Sequence, residues 1–224
     1  MLDTGTQARP RHHSRKETNK RKLLQTACRL FCKEGIHATG IARIIEESGV
    51  SRRTLYLHFG SKENLLKAVF EAEASIWFRW FDRDLPQMHC SPVERILALF
   101  DLMQNWFKSE DFYGCVFINA VAEHDKGNSW IQEIANRHGE KINARLQAMV
   151  AQSGIQDPEL VTKKLSLLID GTIVTAMVTG NGEVAHIGRL TAEDILRSAP
   201  CTNNQATKID RKSTRLNSSH SLPS

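Results

Sequence analysis

Residues 39–66 read TGIARIIEESGVSRRTLYLHFGSKENLL, two short helical runs about a glycine followed by the start of a third. Ile41, Ile44 and Ile45 form a short amphipathic run behind Thr39, which reads as its N-cap, and Gly49 closes the run. Ser51 stands where the next helix begins, with Leu55 and Phe59 turned inward and Arg52, Arg53 and Tyr56 turned outward. Ser61 opens a further helix whose apolar face starts with Leu65, Leu66, Val69 and Phe70 and continues toward Trp77 and Phe78. Two short helices about a glycine turn, the second with long donors in its first turn, make a helix-turn-helix. Such a helix is slim enough to enter a DNA major groove about 12 Å wide. There Arg52 and Arg53 can each offer two donors to guanine O6 and N7, a contact worth roughly 1–3 kcal/mol of discrimination. The other reading of the same residues is a solvated pair of arginines on a surface helix.

Upstream, Leu24, Ala27, Cys28 and Phe31 fall at i, i+3, i+4 and i+7, one stripe of a helix that begins near Glu17 and that Gly35 can end. Residues 1–16 are basic and polar with no periodic face, which predicts a disordered arm. Downstream, helical spacing recurs over about 92–108, 115–123, 128–153, 157–180 and 183–199, and no alternating run marks a strand. The expected fold is all-α: an N-terminal three-helix helix-turn-helix DNA-binding domain over 17–62, then a larger helical domain over 63–199. Residues 200–224 are rich in Asn, Ser and Thr and read as a disordered tail, of which 211–224 resemble translated cloning-adaptor sequence.

The chain of 224 residues carries a net charge of +5, distributed unevenly. Residues 1–62 hold 13 basic and 5 acidic side chains, residues 63–199 hold 13 and 19, and residues 200–224 hold 4 and 1. A basic first quarter before an acidic body suits a polyanion-binding module attached to a body that does not bind polyanions. No run of apolar residues approaches the roughly 18 of a membrane span. The five cysteines lack CxxC spacing, which points to reduced thiols in a cytoplasmic protein. Cys28 and Cys32 share a helical face, but with only His37 nearby they fall short of a zinc site, so neither metal nor cofactor is expected. An enzyme is disfavoured because the chain shows no nucleophile motif, metal cluster or glycine-rich phosphate loop. A sequence-tolerant architectural DNA binder is a further alternative, distinguished by equal affinity for unrelated duplexes.

The uninterrupted run from Gly49 to Leu66, with its Tyr56-x-His58-Phe59 and Ser61-Lys62-Glu63-x-Leu65-Leu66 elements, resembles the signature of TetR-family transcriptional regulators. The likeness covers roughly residues 17–70 at the level of motifs. It implies base reading by Arg52, Arg53 and Tyr56 and phosphate binding by Thr39, Thr54, His58 and Lys62. Ser51, at a helix N-terminus, suits the same phosphate role. Arg43 is a possible additional DNA contact, with a plain exposed charge as the other reading. Ile45 and Arg53 depart from the small residues frequent at those positions, which alters packing and base preference.

The resemblance also implies a homodimer that binds a double-stranded DNA operator and an acidic helical body that takes a small apolar or amphipathic effector. The expected pairing face lies on the last two helices: Leu160, Val161, Leu165, Leu168, Ile169, Ile173 and Val174, with Ile187, Leu190, Ile195 and Leu196 behind. For the effector pocket the aromatic and sulfur side chains Trp77, Met103, Trp106, Phe107, Phe117, Met149 and Met177 are the search set, although core packing accounts for such residues equally well. Cys115, at the start of a helix where a thiol is activated, offers an alternative as a redox or electrophile sensor.

Overall fold

The computed structural model describes residues 15–88, 91–124 and 129–201. Most of the expected N-terminal arm (1–14) and of the tail (202–224) lies outside the described residues. The helices are α1 (Arg15–Glu34), α2 (Ile41–Ser48), α3 (Arg52–Phe59), α4 (Lys62–Arg79), α5 (Leu85–Met88), α6 (Pro92–Phe107), α7 (Val116–Glu123), α8 (Ser129–Gln152), α9 (Pro158–Thr179) and α10 (Val184–Ser198). Among the described residues the one β-type pairing is an isolated antiparallel bridge between Ile155 and Cys201.

Four features depart from the sequence reading. Arg15 and Lys16, expected in the arm, already belong to α1. Between α4 and α5 the chain runs through a π-helical segment, Trp80–Asp84, in which the Leu85 N–H reaches back to the Trp80 carbonyl. Pro200 and Cys201, expected in the tail, are fastened to the α8–α9 loop, where the Gln156 N–H donates to the Pro200 carbonyl at 2.9 Å. The fourth departure is Thr39: the N-cap of α2 is Gly40, and Thr39 is fully buried. Its hydroxyl donates to the Gly35 carbonyl at 2.6 Å, which also accepts the Thr39 N–H at 3.1 Å, and lies 3.2 Å from the Leu30 carbonyl, tying the α1–α2 loop to the end of α1.

The chain divides into two compact units, 1–72 and 73–224, so the division falls inside α4 rather than before its first turn. The first unit buries Leu23, Ala27, Leu30 and Phe31 of α1, Ile44 of α2, Leu55 and Phe59 of α3, and Leu65, Leu66, Val69 and Phe70 of α4. Leu65 to Phe70 complete this apolar core, which carries the unit past residue 62. The turn between α2 and α3 depends on Gly49, whose φ of 64° is left-handed and whose N–H donates to the Ile45 carbonyl at 3.0 Å.

In the second unit α10 packs on both α6 and α9, and α8 packs on α6, α7 and α9. The close approach of α10 depends on Gly188. A Cβ there would lie 2.8 Å from Thr172 Oγ1 and 3.0 Å from two carbons of the Phe100 ring. Helix α9 starts cleanly, with Pro158 in its first turn and the Asp157 carboxylate accepting from the Leu160 N–H at 3.0 Å, and it stops at the left-handed Gly180.

Candidate nucleic-acid interface and ligand cavity

Helix α3 is built to present its outer face. Ser51 caps it, accepting the Thr54 N–H at 3.2 Å, while Leu55 and Phe59 anchor the inner face in the core. Outward stand Arg52 and Arg53, both exposed and without an ion-pair or hydrogen-bond partner among the described residues, and Tyr56, 44% exposed. Two uncommitted guanidinium groups and a phenol on one short helix form a donor surface of the kind that reads base edges. The Thr54 hydroxyl lies 2.9 Å from Ser51 Oγ at the same helix start. His58 is half-buried beside Phe59, their ring centres 5.8 Å apart.

The other sequence candidates sit differently. Thr39, buried under the α1–α2 loop, has its hydroxyl turned to backbone carbonyls rather than outward. Lys62 directs its ammonium to the Ile36 carbonyl and, at 3.5 Å, to that of His37, tying the start of α4 to the α1–α2 loop. Arg43 is not a plain exposed charge. It faces Glu34 at 3.4 Å, Glu47 at 3.0 Å and Glu46 at 3.5 Å, and the hydrogen bond to Glu34 leads in raising its pKa. Arg29 donates to Glu47 at 2.8 Å, which with Arg43 holds that carboxyl below its usual range. This cluster joins α1 to α2 and leaves the charge of Arg43 matched.

The second unit contains a cavity of about 530 Å³, within the range of small-molecule sites. Its wall is Trp77 from α4, Cys115 to Ala122 around α7, a face of α8 from Gln132 to Asn143, and Ser166, Ile169, Asp170 and Ile173 of α9. Of the seven residues in the search set, Trp77 and Phe117 line it. Met103, Phe107 and Met149 are buried in the core away from the lining, and Met177 is exposed beside Gly114. Trp106 lies one layer behind, edge-on to Trp77 at 6.0 Å and to Phe112 at 5.0 Å. Core packing therefore accounts for four of the seven, as helical spacing of large side chains usually does.

The sequence reading missed the polar half of the cavity: Gln132, Asn136, His138 and Asn143 on α8 with Ser166 and Asp170 on α9. Its signal was a polar stripe of Gln132, Asn136 and Asn143, with Gly139 between them, bordering the apolar stripe of α8. His138 stacks face to face on Phe117, centroids 3.9 Å apart and planes within 1°. Burial, with Lys141 nearby, lowers its pKa to about 4, so the ring is neutral at pH 7, and its Nδ1 is buried without a hydrogen-bond partner. Asp170 is an exposed residue whose carboxyl is nonetheless crowded by protein at the cavity edge, which raises its pKa. Cys115 is the N-cap residue of α7 and is buried against the same cavity. Among the described residues no three His, Cys, Asp or Glu side chains converge as a metal site, and no helix is long and apolar enough to cross a membrane.

The expected pairing face splits into a buried and an exposed set, with Leu168 and Ile195 half-buried between them. Val161, Leu165, Ile169, Ile173 and Leu196 are buried. Leu160, Val174, Ile187 and Leu190 are exposed, joined by Leu167 and Val178, each 75% exposed. Leu160, Leu167, Val174 and Val178 line up at helical spacing as an apolar stripe along α9.

Residues 23–69 match the family model for bacterial regulatory proteins of the tetR family. The HTH-type transcriptional regulator LmrA of Bacillus subtilis is 29% identical over 165 residues, spanning 72% of this chain and 83% of LmrA. YjdC of Escherichia coli, also an HTH-type transcriptional regulator, is 22% identical over 82% of this chain and 96% of its own. The crystal structure of SCO4454, a TetR-family transcriptional regulator from Streptomyces coelicolor, superposes with a TM-score of 0.73 at 28% identity, covering 80% of this chain and 95% of that one. Residues 23–69, which contain the helix-turn-helix of 41–59, thus match the tetR-family DNA-binding segment, and the chain as a whole is similar in sequence and fold to TetR-family transcriptional regulators, which are DNA-binding proteins and not enzymes.

Proposed function

We propose that this regulator is a sequence-specific repressor that binds its operator as a homodimer and lets go when a small amphipathic effector enters the cavity of the second unit. The observation that carries the reading is the outer face of α3, where Arg52, Arg53 and Tyr56 stand exposed on a capped helix held by a buried inner face. In this reading those three side chains read bases, and Ser51, Thr54 and His58 hold phosphates. The apolar stripe of α9, with Ile187 and Leu190 of α10, supports pairing with a second copy, which would place two recognition helices on half-sites about one DNA turn apart. The effector acts by population shift. It favours conformers whose recognition helices do not match the half-sites, and it moves the balance only by its difference in affinity between the two states.

Titration against the DNA flanking its own gene and an unrelated duplex, at about 0.15 M salt, tests this. A preference of roughly 1,000-fold or more, lost in Arg52→Ala and Arg53→Ala, is expected of a sequence-specific regulator. Equal and weak binding to every duplex tried would replace it with the architectural reading. A cysteine-triggered variant of the same mechanism is favoured by one observation, the position of Cys115 on the cavity wall at the start of α7. Its mark would be a Cys115→Ser protein that keeps its DNA affinity and loses its response to electrophiles.

A further inference from the structure

The cavity is asymmetric in chemistry. Its apolar side includes Trp77, Phe117, Ile142, Ile169 and Ile173, and its charged side consists of one group, Asp170. No lysine or arginine contributes to the lining. Among the described residues the Asp170 carboxylate has no ion pair and no hydrogen bond, and no cation offsets its crowding. The other titratable ring of the wall, His138, is neutral at pH 7 and supplies no positive charge. Asp170 is exposed and keeps contact with water, but it is the one formal charge of the lining and faces no protein cation, so a ligand that brings a positive charge finds its partner there. Aromatic faces in the same wall attract cations through their quadrupoles, with tryptophan the strongest.

We propose that this cavity takes an apolar organic monocation, with Asp170 as its counter-charge and Trp77 and Phe117 as its aromatic walls. Selection is by sign of charge: an anion of the same shape meets the Asp170 carboxylate with no compensating donor of full charge, and a neutral molecule leaves the carboxylate unmatched. The inference deepens the effector reading by naming the ligand class for the cavity that the reading uses.

The test uses the full chain and two ions of nearly the same size and shape, tetraphenylphosphonium and tetraphenylborate, each titrated while following tryptophan fluorescence, since Trp77 lies in the wall. Tetraphenylphosphonium is expected to bind at least about tenfold more tightly than tetraphenylborate, and Asp170→Asn to remove that preference while the thermal melt stays unchanged. Should Asp170→Asn fail to fold, the comparison of the two ions on the unaltered chain decides alone. Tetraphenylborate binding as tightly as the cation, a preference that survives in Asp170→Asn, or no binding of either ion would each overturn the assignment. The same titrations run on the protein–DNA complex separate this proposal from the effector reading. Asp170-dependent cation binding that leaves DNA bound would uphold the cavity assignment and remove the effector reading. Release of DNA by a neutral molecule, with no cation binding, would do the reverse.

Discussion

Ser51 has one observed role, the cap of α3, and one proposed role, a contact to DNA phosphate, and two substitutions can separate them. Its hydroxyl caps α3 by accepting the Thr54 N–H at 3.2 Å, and its exposed place at the helix start is where a DNA phosphate would sit. Helix α3 has eight residues, so losing the cap frees a donor in its first turn. Ser51→Ala removes the acceptor and should cost about 1 kcal/mol, a drop of about 2–4 °C in Tm for a chain of this size. Ser51→Asp keeps an acceptor of equal capping strength and adds a negative charge where the helix dipole welcomes one, so its Tm should stay within about 2 °C of the parent protein. On DNA the order reverses. The added carboxylate faces phosphate, and a penalty of about 1.4 kcal/mol for each protomer weakens a dimer roughly 100-fold, a deficit that shrinks as salt is raised. Thermal melts and DNA titrations at two salt concentrations measure both quantities. Ser51→Asp binding DNA as well as the parent protein would refute the phosphate role, and equal melts for Ser51→Ala and the parent would refute the capping role.

Two further outcomes follow from the second unit. Gly188→Ala places a methyl 2.8 Å from Thr172 Oγ1 and 3.0 Å from the buried Phe100 ring, so α10 must recede and stability should fall by about 1–3 kcal/mol. Gly139→Ala, inside α8 with nothing within 4 Å of the new Cβ, should gain up to about 1 kcal/mol, and denaturant titration of the two variants should show opposite signs. His138, with its pKa lowered to about 4, binds a proton in the unfolded chain at a higher pH than in the folded one. Its contribution is therefore complete above about pH 6.5 and is lost as pH falls from there toward 4. His138→Phe, which keeps the stack on Phe117, should flatten that part of the stability–pH curve by about 1–2 kcal/mol, the full shift being reduced by the ring's partial access to solvent. An unchanged slope would mean the ring protonates in place.

The sequence disclosed features set by nearest neighbours along the chain. Gly49 as the turn, Ser51 as the cap, and Leu55 and Phe59 as the inner face of α3 all follow from local chemistry and helical spacing, and the structure has each of them. Features that depend on which elements meet were not legible. Thr39 looks like a cap when only residues 40–45 are considered, yet the Gly35 and Leu30 carbonyls at the end of α1 claim its hydroxyl. Lys62 looks free until the α1–α2 loop arrives beside it. The cavity was misread for the same reason. Large aromatic and sulfur side chains at helical spacing mark both core and cavity, whereas the polar stripe of α8 and Asp170 of α9 acquires its meaning only once those helices face each other. The exposed stripe of α9 could be told from its buried residues only with α10 in place, although both sets repeat with the same period.

The π-helical segment works as a vernier on helical phase. Trp77, Phe81 and Leu85 are all buried, a repeat of four residues that in an uninterrupted α-helix would drift by roughly 40° at each step and leave the core face. Wider winding over Trp80–Asp84 slows that rotation and keeps all three side chains on the inside. The winding thereby absorbs one residue more than two ordinary turns would hold. Arg83 is exposed, and deleting it would let ordinary winding resume over the seven steps then separating Trp77 from Leu85, about 700° or roughly 20° short of two full turns, so Leu85 would still face inward. In an alignment of functional relatives, a one-residue gap across these five positions should therefore be tolerated, with ordinary α-helix in place of the π-helical turn.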